Sequence, residues 1–183
     1  MLIWTDPQYL PWRQEEREAL LEDAESQFLL EEFPQGAHGR PEGPADSPIT
    51  LLIWTYETQR VAPTFPLKFD PNYPEIAMRG VATFLPAMGA YFDSPPRPII
   101  DGGYYLKTEE NRPLIGPMGA EGAWVIGALS GYGLMASPAA GELLGSQIAG
   151  EPPPEIARWF YLDRYDDPEY QALLANWGRS GQL

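Results

Sequence analysis

Residues 123–144, AWVIGALSGYGLMASPAAGELL, combine types and spacing that suit them to an electron-rich ligand. An unbroken apolar run, 123–129, stops at Gly131 and Gly133, and small residues then begin a helix near Ser137 and Pro138. Glycine lets a backbone come close to a ligand, and the first amides of a helix are unpaired and sit at the positive end of its dipole. Gly131, Tyr132, Gly133 and Leu134 are therefore candidates for holding a group that gains negative charge, as an organic cofactor does on reduction. A second set lies upstream in GGYYLKT, where Tyr104, Tyr105 and Lys107 carry two phenols and an ammonium. Both sets also have a plain structural reading: a tight turn ahead of a packed helix, and an alternating strand with one buried face.

Other chemistry is narrowed by what the chain lacks. With no cysteine there is no disulfide, thiolate nucleophile, cysteine metal site or thioether link to a cofactor. A single histidine, His38, excludes multi-histidine metal sites, and its setting in the loop QGAHGRPEG reads as a solvated surface position. No Gly-x-Ser-x-Gly elbow is present, which weighs against a hydrolase. A formal charge of −14, with 26 acidic and 12 basic residues and no basic run, opposes nucleic-acid binding. No apolar stretch approaches the roughly 20 residues that span a bilayer, so no transmembrane segment is expected. The start, MLIWTDPQYLPW, lacks the pattern of a signal peptide, and a soluble cytoplasmic protein is expected.

The elements that must position the two sets follow from periodicity. Residues 14–31, QEEREALLEDAESQFLLE, put Leu20, Leu21, Ala24 and Phe28 on one helical face, with a break expected near Asp23; their carboxylates read as a solvated face. The proline- and glycine-rich stretches 34–47 and 63–74 read as long irregular connections. Between them, 47–58 is a β-rich run covered on both faces. Residues 72–85 form a helix, capped by Asn72, with Pro74 and Glu75 in its first turn, that packs on a sheet. Residues 97–108 and 112–117 are extended and joined through the turn Thr108–Asn111, as a hairpin or an interdomain crossing. Residues 123–129 have the continuous apolarity of a strand buried in a parallel sheet. The tail carries Trp159, Phe160, Tyr161 and Tyr165 as packing anchors. The fold class is α+β: a mostly antiparallel sheet with helices over 1–118, then a strand–turn–helix and tail over 119–183.

DGGYYLKTEENRPLIGP (101–117), followed after the six residues 118–123 by WVIGALSGYGLMASPAAGELL, resembles the C-terminal signature of the D-amino-acid-oxidase superfamily, which includes glycine and sarcosine oxidases. Thr108–Asn111 takes the place of that family's Thr-Pro-Asp-Gly turn, and Pro113–Pro117 that of Pro-Ile-Ile-Gly-Pro. Gly127–Gly133 matches the glycine turn beside the flavin, and Ser137, Pro138 and Gly141 match the helix after it. The resemblance covers residues 100–150.

It implies an FAD-dependent oxidoreductase that oxidises a small amine or amino acid by hydride transfer to flavin N5. The strand–turn–helix then belongs to a Rossmann-like FAD domain, with Gly131–Leu134 beside the isoalloxazine and Tyr104, Tyr105 and Lys107 near the substrate. Two departures matter. The strand with Gly-x-Gly-x-x-Gly that seats the FAD pyrophosphate in the family is not found, so a complementary N-terminal FAD-binding half or subunit is the expected partner. Tyr105 occupies the slot where several relatives carry an arginine for the substrate carboxylate. A non-catalytic binding or assembly protein derived from the family by loss of the nucleotide-binding half is the alternative.

Overall fold

The proline- and glycine-rich run after residue 34 contains a strand, and its histidine is buried. In the computed structural model, which describes residues 1–177, His38 opens β4 (His38–Glu42) and is only 7% exposed. Its Nδ1 lies 2.8 Å from the Gly36 carbonyl oxygen, and its Cα pairs with those of Ile3 and Ile53. The solvated-loop expectation for His38 is thus corrected: antiparallel pairing on both sides draws this segment into a sheet despite Gly39 and Pro41. That sheet has the order β1 (Leu2–Ile3), β4, β5 (Ile49–Ile53). A second small pair joins β2 (Gln8–Tyr9) to β3 (Glu32–Phe33).

These elements belong to a first compact unit, Met1–Gly103. Its core holds Leu10, Leu29, Phe33, Ala37, Trp54 and Ile76, with Trp12, Leu20, Tyr56 and Phe84 packed against them. Helix α2 (Tyr73–Ala82) begins after Asn72 with a proline in its first turn, as predicted, although the Asn72 side chain makes no capping bond. Gly80 is needed there, because a Cβ would overlap the Trp54 ring. The same helix buries Arg79, whose guanidinium donates to Glu16, Glu75 and the Pro11 carbonyl and lies 3.7 Å from the Trp12 ring centroid.

The helical stretch read over 14–31 breaks near Asp23, where a break is expected. Helix α1 (Gln14–Glu22) ends at Asp23, and a 3-10 turn follows over Gln27–Leu30. Ser26 donates to the Asp23 carboxylate, a local bond that competes with helix continuation. No α1 residue is fully buried, and Leu21 is exposed, so the predicted apolar face is only partly used. Residues 97–108 form no strand, contrary to expectation.

The second unit begins at Tyr104, so residues 104–118, read from sequence with the first domain, pack within it. Its sheet is a hairpin of β6 (Leu114–Pro117) and β7 (Trp124–Gly127), with Leu114 opposite Gly127 and Pro117 opposite Trp124. The parallel, buried environment predicted for 123–129 is therefore corrected. The loop between these strands closes through the Met118 amide on the Ala123 carbonyl at 2.9 Å, which makes the pairing antiparallel, and Ile126 is 38% exposed.

Helix α3 (Gly133–Ile148) starts four residues before Ser137 and takes Pro138 within it. Proline lacks an amide, but at Pro138 that amide sits only just beyond the helix's unpaired first turn, and the Ser137 hydroxyl returns to the Leu134 carbonyl. The tail folds as two 3-10 segments, Glu155–Phe160 and Leu162–Asp166, and α4 (Pro168–Ala175). Trp159 stacks on Tyr170, and Tyr165 meets Tyr170 edge-on. The architecture is mixed helix and antiparallel sheet, an α+β chain.

Candidate functional site

The left-handed backbone that a strand-to-helix turn needs falls on Ala128 (φ 55°) and Ser130 (φ 51°), not on Gly131 or Gly133. Non-glycine residues adopt this region at a cost, so the turn holds two strained positions, one on each side of Leu129. It is closed by the Tyr132 amide on the Leu129 carbonyl at 3.0 Å. The Ser130 amide reaches out of the turn to the Leu106 carbonyl at 3.2 Å and so fastens the 104–107 segment alongside.

That fastening brings the two sequence-predicted sets together. Tyr105 lays its ring on Gly131, where a Cβ would stand 3.1 Å from Cε1. The nearest neighbour to a Cβ at Gly133 is Leu129 at 3.5 Å, ordinary contact, so this glycine has room for a methyl group. Lys107 sits with Nζ 5.8 Å from the Tyr105 ring centroid. Loss of hydration at its amine lowers the Lys107 pKa, although the side chain as a whole is exposed. Tyr104 and Tyr105 are both partly exposed, so neither belongs to a buried strand face.

Tyr132 occupies the N-cap position of α3 and supplies no side-chain acceptor to the first turn, which also lacks an acidic residue. Its phenol donates instead to the Asn111 carbonyl at 2.9 Å, and burial raises its pKa. Leu134 and Met135, in the first turn of α3, are 90% and 79% exposed. The start of a 16-residue helix is therefore uncapped and open on one side.

Beneath the turn lies a group that sequence reasoning missed. Arg164, fully buried, donates to the Glu110 carboxylate and to the carbonyls of Arg112 and Pro113. Tyr170 and Tyr165 donate to the same Glu110 oxygen at 2.7 and 3.0 Å. Burial alone would raise the Glu110 pKa, but bonds from Tyr170, its own backbone, Arg164 and Tyr165 hold it below the usual carboxylate range. Tyr170 is pushed up to about 12 by burial and by its bond to Glu110. The network ties the tail to residues 110–113, and Asn111 in turn holds Tyr132. A carboxylate and an arginine 54 residues apart in sequence carry no spacing signal that announces this pairing.

A flavin ring is compatible with the residues present. The turn offers the amides at the start of α3, the Tyr105 phenol, the Lys107 ammonium and a buried Ser130 hydroxyl that makes no hydrogen bond. All are donors suited to an electron-rich acceptor. Pyrophosphate binding is less well provided for. Gly131, Gly133 and Ala136 do have the spacing of a dinucleotide turn, but α3 leads into 3-10 segments and not a second parallel strand. Among the described residues no three His, Asp or Glu side chains are placed to share a metal ion, and no helix is long and apolar enough to cross a membrane. Comparison with known protein families, curated proteins and solved structures gives no match to this chain.

Proposed function

We propose that this chain forms the isoalloxazine- and substrate-facing part of an FAD-dependent oxidoreductase acting on a small amine or amino acid. The observation that carries this reading is the contact of Tyr105 with Gly131 at the uncapped start of α3. It joins the residues proposed to face the substrate to those proposed to face the cofactor. When bound, the flavin supplies the hydride acceptor for the carbon that bears nitrogen.

The chain's own residues have simpler tasks. Amides of Gly133 and Leu134 lie at the positive end of α3 and favour charge developing on a neighbouring ring. Lys107 pairs with a substrate carboxylate, and the Tyr105 phenol orients either the carboxylate or the amine. Tyr132, held by Asn111, fixes the height of the turn. The pyrophosphate, ribose and adenine of FAD are held from outside these 183 residues, by a preceding segment or a separate polypeptide.

The second reading, a non-catalytic assembly protein, draws on α3, where only Ala140 is buried. An apolar helix face of this kind suits protein docking. One experiment separates the two. The chain is purified alone and after production with an adjacent-encoded segment of the strand–Gly-x-Gly-x-x-Gly–helix type, and visible spectra are recorded. Flavin absorbance only in the joint preparation supports the oxidoreductase part; a stable, colourless complex supports the assembly protein.

A further inference from the structure

Ser130 carries two unfavourable features at once. Its backbone is left-handed at φ 51°, and its hydroxyl is buried without a hydrogen-bond partner. Each is disfavoured in a folded chain, and such outliers persist where the surroundings or a ligand give them a use. The Ser130 amide is already committed to Leu106. Its hydroxyl is the polar side-chain atom left over in a turn that otherwise offers ring-facing backbone.

We infer that Ser130 is a ligand-binding residue: rotation about its Cα–Cβ bond lets the hydroxyl donate to the electron-rich edge of a flavin ring seated at the start of α3. Serine moves readily between staggered rotamers, and a hydroxyl that gives up no existing bond loses little by turning. The residue is only partly buried, so another rotamer can face outward. This inference rests on the flavin reading and adds a specific donor to it, next to Tyr105 and one residue before Gly131.

Two properties should therefore move in opposite directions on substitution. Ser130→Ala removes an unused polar atom, and Ser130→Gly also removes the left-handed strain, so neither lowers the thermal midpoint; the glycine variant raises it by about 2 to 4 °C. Both weaken ring binding, by roughly three- to tenfold for one lost hydrogen bond.

The test uses the full 183-residue chain, 15N-labelled, with riboflavin as the ring alone and inorganic pyrophosphate as the competing anion. Amide shifts at 129–135 report binding, and thermal melts report stability. The expected result is riboflavin-dependent shifts in the wild type that weaken in both variants while the melts hold or rise. Unchanged riboflavin affinity in both variants, or melts that fall, would overturn the role of Ser130 and leave the flavin reading standing. No riboflavin shift in the wild type, or shifts with pyrophosphate alone, would overturn both.

Discussion

The Tyr105 ring lies on the backbone of Gly131, so close that a Cβ there would stand 3.1 Å from Cε1 and 3.3 Å from Cζ and Oη. Glycine suits this position because an aromatic neighbour crowds its side-chain space. Gly131→Ala should therefore push Tyr105 outward and cost about 1 kcal/mol, a modest value because the partly exposed ring can yield. In a Tyr105→Ala background the cost should shrink by at least about 0.5 kcal/mol. Denaturant unfolding of the four proteins in the cycle checks this, and additive effects would contradict the contact.

Gly133 behaves differently. Alanine there meets Leu129 at ordinary contact distance, so stability should stay within about 0.5 kcal/mol of wild type. Valine restricts the first residue of α3 and fills the approach to the ring, so flavin affinity of the assembled protein should fall. Equal flavin affinity in Gly133→Val and wild type would remove this position from the cofactor site.

Tyr105→Phe and Lys107→Met should lower kcat/KM of the assembled enzyme by roughly tenfold to a hundredfold, the effect of losing a charge-assisted contact of about 1.5 to 3 kcal/mol. Flavin retention should be unchanged in both. Full kcat/KM in both variants would reduce these residues to packing.

Acid should loosen the second unit through Glu110. Its pKa is depressed on folding, so the stability it contributes is present above the unfolded value of about 4.3 and is lost as pH falls from there through the folded value. Glu110→Gln removes this component, so its melting temperature should depend less on pH across that window. At neutral pH the variant should be less stable by about 3 kcal/mol, because Arg164 is left buried without its carboxylate. Parallel pH curves for the two proteins would contradict this assignment.

Sequence reading succeeded where signals were local. Tyr73–Ala82 is legible because Asn72, Pro74 and the helical spacing of Ile76 and Val81 agree. The end of α1 at Asp23 and the strand–turn–helix through Gly131 were legible for the same reason. Long-range pairing was hidden: His38 is buried by strands from both sides, and Trp124–Gly127 looked like a parallel core strand because apolarity does not encode the partner's direction. Ser130 gave no signal, since serine is an unlikely host for a left-handed backbone and Gly131 and Gly133, which follow it, are the residue type that such a backbone favours. Glu110 and Arg164 lie in unrelated segments, and only the fold joins them.

Anaerobic mixing of small amines and amino acids with the chain assembled on its nucleotide-binding segment, followed by the visible spectrum, is the most direct measurement. Bleaching of a bound flavin by at least one such compound is predicted, with slower bleaching in Lys107→Met and no FAD retained through purification by the 183-residue chain alone. A chain that is yellow and active by itself, or an assembled flavoprotein that no amine or amino acid reduces, would contradict the proposed function.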